Sequence, residues 1–543
     1  MTVSRSTPRA VVRARNGMVA SAHPLATGAG LDVLRRGGNA MDAAIAAALT
    51  TAVVLPAMCG LGADAFFIYY DAKSGTTTAL NGSGIAPAAA RLEYFRERGY
   101  EKMPFYGPLS VSVPGAVDAY FTAIERFGTM SPQDLFASAI RYADQGYVMT
   151  DTISRWIANS AGELAKYPTS AAIFLPNGAP PRPGTMFRQP ALARSLQLVA
   201  DRGPEVFYQG QIGREIDRFM AEAGGLMTLA DMADHTSEVY APLSTEYRGF
   251  TVLQTGLPTQ GHIVLEELNI LSNADVAALG PDTADSIHLM AETKKMAFAD
   301  RLAYSGDPRM VDVPLDVILS ADFARDRFGA IDMMRAHDQV NAGLIPERAG
   351  DTTYLCAIDG EGNAVSFIHS LSAAFGSNVV AGDTGILLNN RAGRGFELEP
   401  GHPNVIAPGK RTMHTLNCYM VVEHGRPRWV GGTPGGDGQP QWNMQMLVNM
   451  IDYGMNEQEA IEAPRWTSFP GTDPVNRPAD FGLRIEDRVP ADVIEELRAR
   501  GHRVRVLGSW GGGGAAQIIG IDQETGVLAA GSDPRAEGLA LGF

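Results

Sequence analysis

The chain is predicted to be an α+β protein on two observations. Helix-period patterns run through the first two-thirds, and short β-forming runs bounded by turn residues take over after about residue 350. A length of 543 residues exceeds one small core, so the prediction is several domains or one large unit.

The helical elements come first. Residues 39–50 are Ala-rich and open on an Asn, a good N-cap. Residues 114–127 (PGAVDAYFTAIERF) place Pro near a first turn, where a missing N–H costs nothing. Residues 286–303 (SIHLMAETKKMAFADRLA) carry apolar side chains at three- and four-residue spacing, as a core-facing helix does. Residues 331–351 have weak periodicity and read as an exposed connector. Beyond it, TYLCAI (353–358) and AVSFIH (364–369) flank DGEGN, which predicts a β-hairpin. Further strands are expected at 416–423, 427–430, 503–507, 516–521 and 526–530, and helices at 440–453 and 490–500.

Composition excludes several functions. A net charge of −15 argues against nucleic acid and anionic membrane as partners. Three cysteines, Cys59, Cys356 and Cys418, form no CxxC pair and make a poor disulfide framework, which fits a reducing compartment. The ten histidines show no HExxH and no paired ligand spacing, so no metal site is expected. The N-terminus lacks a continuous apolar stretch of secretory type, and the apolar run 43–55 is too short for a bilayer. A cytoplasmic protein is expected.

Gly350-Asp351-Thr352-Thr353 stands at the mouth of the hairpin. It reads as a Thr pair starting a strand, or as a masked nucleophile. A threonine at a new N-terminus carries both a hydroxyl nucleophile and an α-amine to serve as its base. That reading requires a cut between Asp351 and Thr352.

Longer segments decide between the two. LRRGGNAMDAAIAAALTTAVVLPAMCGLGADAFF (34–67), GGLMTLADMADH (224–235), HLMAETKKMAFADRLAYSGDP (288–308), DTTYLCAIDGEGNAVSFIHSL (351–371), GILLNN (385–390), PGKRTMHT (408–415), GGTPGGDGQ (431–439) and the terminal GSDPRAEGLALGF resemble, in order, the segments of γ-glutamyltransferases. The resemblance spans nearly the whole chain. It implies a four-layer αββα fold and autocleavage into a large subunit, 1–351, and a small one, 352–543. It implies Thr352 as nucleophile, Ser370 as a hydroxyl that hydrogen-bonds it, and Gly435 and Gly436 as the oxyanion hole. Glycines suit that last role, because backbone without Cβ can approach a tetrahedral intermediate closely. The run Gly511 to Gly514 lacks the spacing of a phosphate loop and reads as structural.

The substrate-binding positions depart from the family. Its carboxylate-binding Arg falls at Ser83, and an Asn after the second hydroxyl falls at Ser372. An acidic or amide residue falls at Arg391, the ammonium-binding Asp falls near Arg394, and a Ser pair falls at His414-Thr415. An Arg facing an ammonium repels it, whereas a guanidinium reads a carboxylate with paired hydrogen bonds. Arg391 is assigned to the pocket, and Arg394 either joins it or faces solvent. The expected activity is a Thr amidohydrolase or acyltransferase acting on a small carboxylate-bearing amide, oxamate-like or glutaryl-like. The alternatives are a true γ-glutamyltransferase or glutathione hydrolase with a rearranged pocket, and an inactive binding relative. The mechanism needs no cofactor. The partners implied are the small amide, the chain's own second fragment in a heterodimer, and a dimer of such heterodimers.

Overall fold

The computed structural model describes residues 9–341, 353–471 and 480–543. Fourteen strands form two seven-stranded sheets. In chain order they are β1 (Val12–Ala14), β2 (Gly17–Ser21), β3 (Asp64–Asp71), β4 (Thr76–Gly82), β5 (Glu238–Tyr240), β6 (Leu243–Tyr247), β7 (Phe250–Gln254), β8 (Thr353–Asp359), β9 (Ala364–Ser370), β10 (Tyr419–Glu423), β11 (Arg426–Gly432), β12 (Gln517–Ile521), β13 (Leu528–Ser532) and β14 (Leu539–Gly542). One sheet runs β14-β2-β8-β9-β3-β4-β5 and the other β1-β13-β12-β11-β10-β7-β6. The helices that matter here are α1 (Pro24–Arg35), α2 (Ala40–Val54), α3 (Ala116–Phe127), α4 (Gly261–Leu271), α5 (Ala284–Tyr304), α6 (Gly438–Ile451) and α7 (Ala491–Ala499).

The period of two along β8 sorts its side chains into two cores. Tyr354, Cys356 and Ile358 join Phe66, Ile68, Met420, Val430 and Ile519 between the sheets. Leu355 and Ala357 face the other way, against α2 and α3. Across the second sheet, Val252, Val421, Trp429 and Ile518 pack on α4, α5 and α6. The layers are therefore helix, sheet, sheet, helix, as expected.

α2 is buried on every side, as its almost uniformly apolar sequence requires. Asn39 and Asp42 close its N-terminus in a reciprocal capping box. Asp359 ties this end to the hairpin. Its Oδ2 accepts from Ala40 N at 2.9 Å and from Asn363 Nδ2, and its Oδ1 accepts from Glu361 N and Asn363 N.

The expected split into a helical first part and a β-rich second part does not hold. β8 and β9 lie between β2 and β3, which come from the first part. Strands from both sides of residue 352 thus build each sheet. Pro114 also lies outside its helix, since α3 starts at Ala116 with Gly115 as N-cap. The three cysteines are buried and free. Among the described residues no helix is long and apolar enough to cross a membrane.

Candidate active site

Asp351 and Thr352 lie outside the described residues; the chain resumes at Thr353, the first residue of β8. Thr353 pairs with His369, and on the far side of β9 Ser370 pairs with Asp64 of β3. His369 is spoken for. Its Nε2 meets Thr51 Oγ1 and its Nδ1 meets Tyr120 OH, each at 2.9 Å, and burial lowers its pKa to about 3. It is a neutral core residue rather than a base.

Ser370 Oγ accepts from Ser372 N at 2.8 Å. Ser372 is buried at a positive φ of 89°, and its carbonyl accepts from Arg394 Nη1. Arg394 is 5 % exposed, so it does not face solvent.

Arg391 is fully enclosed. Its N–H donates to Asn389 Oδ1 at 3.0 Å, Nη1 reaches Thr415 Oγ1 at 3.5 Å, and Nε lies 3.4 Å from Asp64 Oδ2. Asp64 Oδ1 accepts from Gly84 N at 2.9 Å. Burial pushes the Asp64 carboxyl up to about 6, against the pull of Arg391. His414 Nε2 stands 3.8 Å from Asp64 Oδ2. Burial, reinforced by Arg391 and Arg411, holds His414 well below its ordinary pKa, so the ring is neutral. Neither of its ring nitrogens, nor Ser372 Oγ, has a hydrogen-bond partner among the described residues. Buried polar atoms in that condition mark a place where a ligand can supply the missing bonds.

Ser83 is buried, but its hydroxyl donates to Asn81 Oδ1 at 2.6 Å. Beside it arrives Arg411, whose Nε donates to Ser83 O at 2.9 Å while Nη1 pairs with Glu238. A guanidinium therefore stands next to Ser83 after all, supplied by another segment. Sequence reasoning passed over both Asp64 and Arg411. The signal for Asp64 was available: a lone acid inside the apolar run GLGADAFF is costly unless paired.

Gly435 and Gly436 form a turn at φ 136° and 58°, immediately before α6. The Gly435 carbonyl accepts from Gly438 N and the Gly436 carbonyl from Gln260 Nε2, each at 2.9 Å. A Cβ on Gly435 would run into the Trp442 ring. Asp437, the N-cap, is held by Arg301 Nη1 at 2.8 Å, a buried pair. A fourteen-residue helix directs its positive end at this turn, which favours negative charge there. Gly513 and Gly514 lie against the same Trp442, so that glycine run is part of the wall behind the turn.

A four-layer αββα fold, a hairpin opening directly after a threonine, and a glycine turn at a helix N-terminus define an N-terminal-nucleophile hydrolase. Comparison with known proteins narrows this further. The gamma-glutamyltranspeptidase family model matches residues 26–543. The "Glutathione hydrolase-like YwrD proenzyme" of Bacillus subtilis (strain 168) is 37% identical over 532 residues, covering 97% of this chain and 98% of that protein. The "Oxamate amidohydrolase proenzyme" of Klebsiella pneumoniae is 35% identical over 539 residues, covering 97% and 98%. The crystal structure of cephalosporin acylase from Bacillus halodurans superposes with a TM-score of 0.92 at 36% identity, covering 100% of this chain and 99% of that one. The chain belongs to the gamma-glutamyltranspeptidase family and is an autoprocessing amidohydrolase enzyme of that family. The inactive binding relative is thereby set aside.

Proposed function

We propose that this enzyme hydrolyses a small amide bearing a carboxylate and lacking an α-amine, through an acyl-enzyme on Thr352. The observation that carries the reading is the buried guanidinium of Arg391 close to a His414 ring whose two nitrogens have no hydrogen-bond partner among the described residues. His414 is neutral, and Asp64 is the acid that lies 3.4 Å from Arg391. The guanidinium of Arg391 stays charged. An anionic substrate neutralises that charge, while an ammonium adds to it.

The chain first cuts itself between Asp351 and Thr352. The Thr352 hydroxyl then attacks the amide carbonyl, and its α-amine takes the hydroxyl proton. Backbone N–H groups of Gly435 and Gly436 hold the oxyanion of the tetrahedral intermediate. The C–N bond breaks, the α-ammonium returns the proton to the leaving amine, and water later attacks the ester by the same route. Relatives named as an oxamate amidohydrolase and a cephalosporin acylase support an acyl group without the glutamyl amine.

One observation favours a second reading. Asp64 and Arg391 lie 3.4 Å apart, so the pocket holds one buried charge of each sign. An α-ammonium on Asp64 and an α-carboxylate on Arg391 would suit a γ-glutamyl compound. Comparing kcat/KM for oxamate, a glutaryl amide and a γ-glutamyl amide on one preparation separates the two. A preference for an amide lacking the α-amine upholds the first reading, and a preference for the γ-glutamyl amide overturns it.

A further inference from the structure

Along the chain the histidines look scattered, but folding gathers two of them with a glutamate away from the glycine turn. His288 and Glu292 are four residues apart on α5 and share a face. His502 follows α7 and meets them. All three are buried, and their ligand atoms lie within 4.8 Å of one another.

We propose that His288, Glu292 and His502 form a site for one divalent transition-metal ion of zinc's chemical class, bound by two imidazole nitrogens and one carboxylate oxygen.

The hydrogen bonds preset the ligands. His288 Nε2 lies 2.9 Å from the Asp332 carbonyl, which can only accept. Nε2 therefore carries the hydrogen, and Nδ1 presents a lone pair toward His502 Nε2, 2.8 Å away. A carbonyl on the far nitrogen is the outer support that metal-binding histidines use to fix tautomer and orientation. The two rings meet edge-on, at 76° and 5.0 Å between centroids, so they converge on a point and do not stack. Tetrahedral zinc with bonds of about 2.0–2.1 Å needs its nitrogens about 3.4 Å apart, so the pair must open by about half an ångström.

The protonation states also fit. Burial lowers His288 below its ordinary pKa and His502 to about 3, so both are neutral imidazoles. Burial pushes Glu292 up, but Lys295 and His337 outweigh it and keep the carboxylate ionised. On binding, His502 shifts its hydrogen from Nε2 to Nδ1, water takes the remaining position, and no proton need be released.

Lys295 works against the ion. Its Nζ lies 2.7 Å from Glu292 Oε1, and an ammonium beside a dication is repulsive. His337 Nδ1, 2.7 Å from Oε2, orients the carboxylate from the other side. Lys295 thus sets the affinity low, and its removal should raise it. His288 and Glu292 precede the proposed cut and His502 follows it, so an ion here would bridge the two fragments. That consequence rests on the proposed cut, whereas the site itself does not.

The test is a titration of chelator-stripped enzyme with zinc alone, followed by calorimetry, and with cobalt(II), followed by absorption. The expected result is one equivalent bound, with the intense visible bands of four-coordinate cobalt. His502→Asn should weaken zinc by more than about 100-fold, beyond the usual loss of an outer support. Lys295→Met should strengthen it by about tenfold or more. A zinc isotherm indifferent to both substitutions, or cobalt bound without four-coordinate bands in the wild type, would overturn the proposal. If His502→Asn fails to fold, the wild-type cobalt spectrum and Lys295→Met still decide. Whether the chain is cut is read separately on a denaturing gel.

Discussion

Arg391 Nε lies 3.4 Å from Asp64 Oδ2, and both side chains are buried. The pair joins residues 327 positions apart, from the first sheet and from the short helix Arg391–Gly395 that follows the Asn389-Asn390 pair. Breaking it from one side strands a buried charge. Arg391→Met should therefore destabilise the fold by about 3–5 kcal/mol at pH 8, and adding Asp64→Asn should restore at least half of that. Urea unfolding of the two single variants and the double variant checks this. Single-variant losses that simply add would show that the two side chains do not interact.

The same pair gives a pH dependence whose sign can be worked out. The folded Asp64 pKa, about 6, is above the ordinary 3.8. The folded state therefore holds this proton more tightly than the unfolded state does. The group makes stability fall as pH rises from about 4 to about 6, and Asp64→Asn should remove that decline. Below about 6 Asp64 is neutral and no longer offsets the charge of Arg391. KM for an anionic amide should drop as pH falls through 6, and in Asp64→Asn it should be low and flat. A KM that rises on acidification would contradict the assignment of Arg391.

Gly435 should tolerate no side chain. Its φ of 136° is unfavourable for an L-residue, and a Cβ meets Trp442. Gly435→Ala should lower kcat by about 10²–10³ through misplacement of one oxyanion donor, with KM changed little. Steady-state kinetics on fully cut enzyme is the check, and unchanged kcat would remove this turn from the mechanism.

Ser370→Ala removes the acceptor of Ser372 N, so it should cost about 1–3 kcal/mol of stability. Its larger effect should be on turnover, by about ten- to a hundredfold in kcat, if the hydroxyl orients Thr352. Ser370→Thr keeps the hydroxyl and should recover most of the loss. Equal turnover in Ser370→Ala and wild type would leave Ser370 a purely structural role.

Much of the fold was legible because local chemistry announces it. The hairpin expected at 353–358 and 364–369 is found at Thr353–Asp359 and Ala364–Ser370, and Asn39 caps α2 as read. β2, β3 and β4 were not read, for a physical reason. Most of their residues are buried on both faces, one toward helices and one toward the other sheet, so the apolar–polar alternation that betrays a strand is missing. The residues assigned to the pocket were picked one at a time by position along the chain. What position could not reveal was pairing: Asp64 with Arg391, Arg411 beside Ser83, and Arg394 turned inward onto Ser372.

The most direct test of the account is an intact-mass spectrum of the enzyme, acid-quenched during turnover of an anionic amide. It should show two fragments, 1–351 and 352–543, with the acyl group's mass added to the second alone, and Thr352→Ala should remain one unacylated chain. A cut elsewhere, an adduct on the first fragment, or a Thr352→Ala chain that still splits at this bond would contradict the claim that Thr352 is the nucleophile.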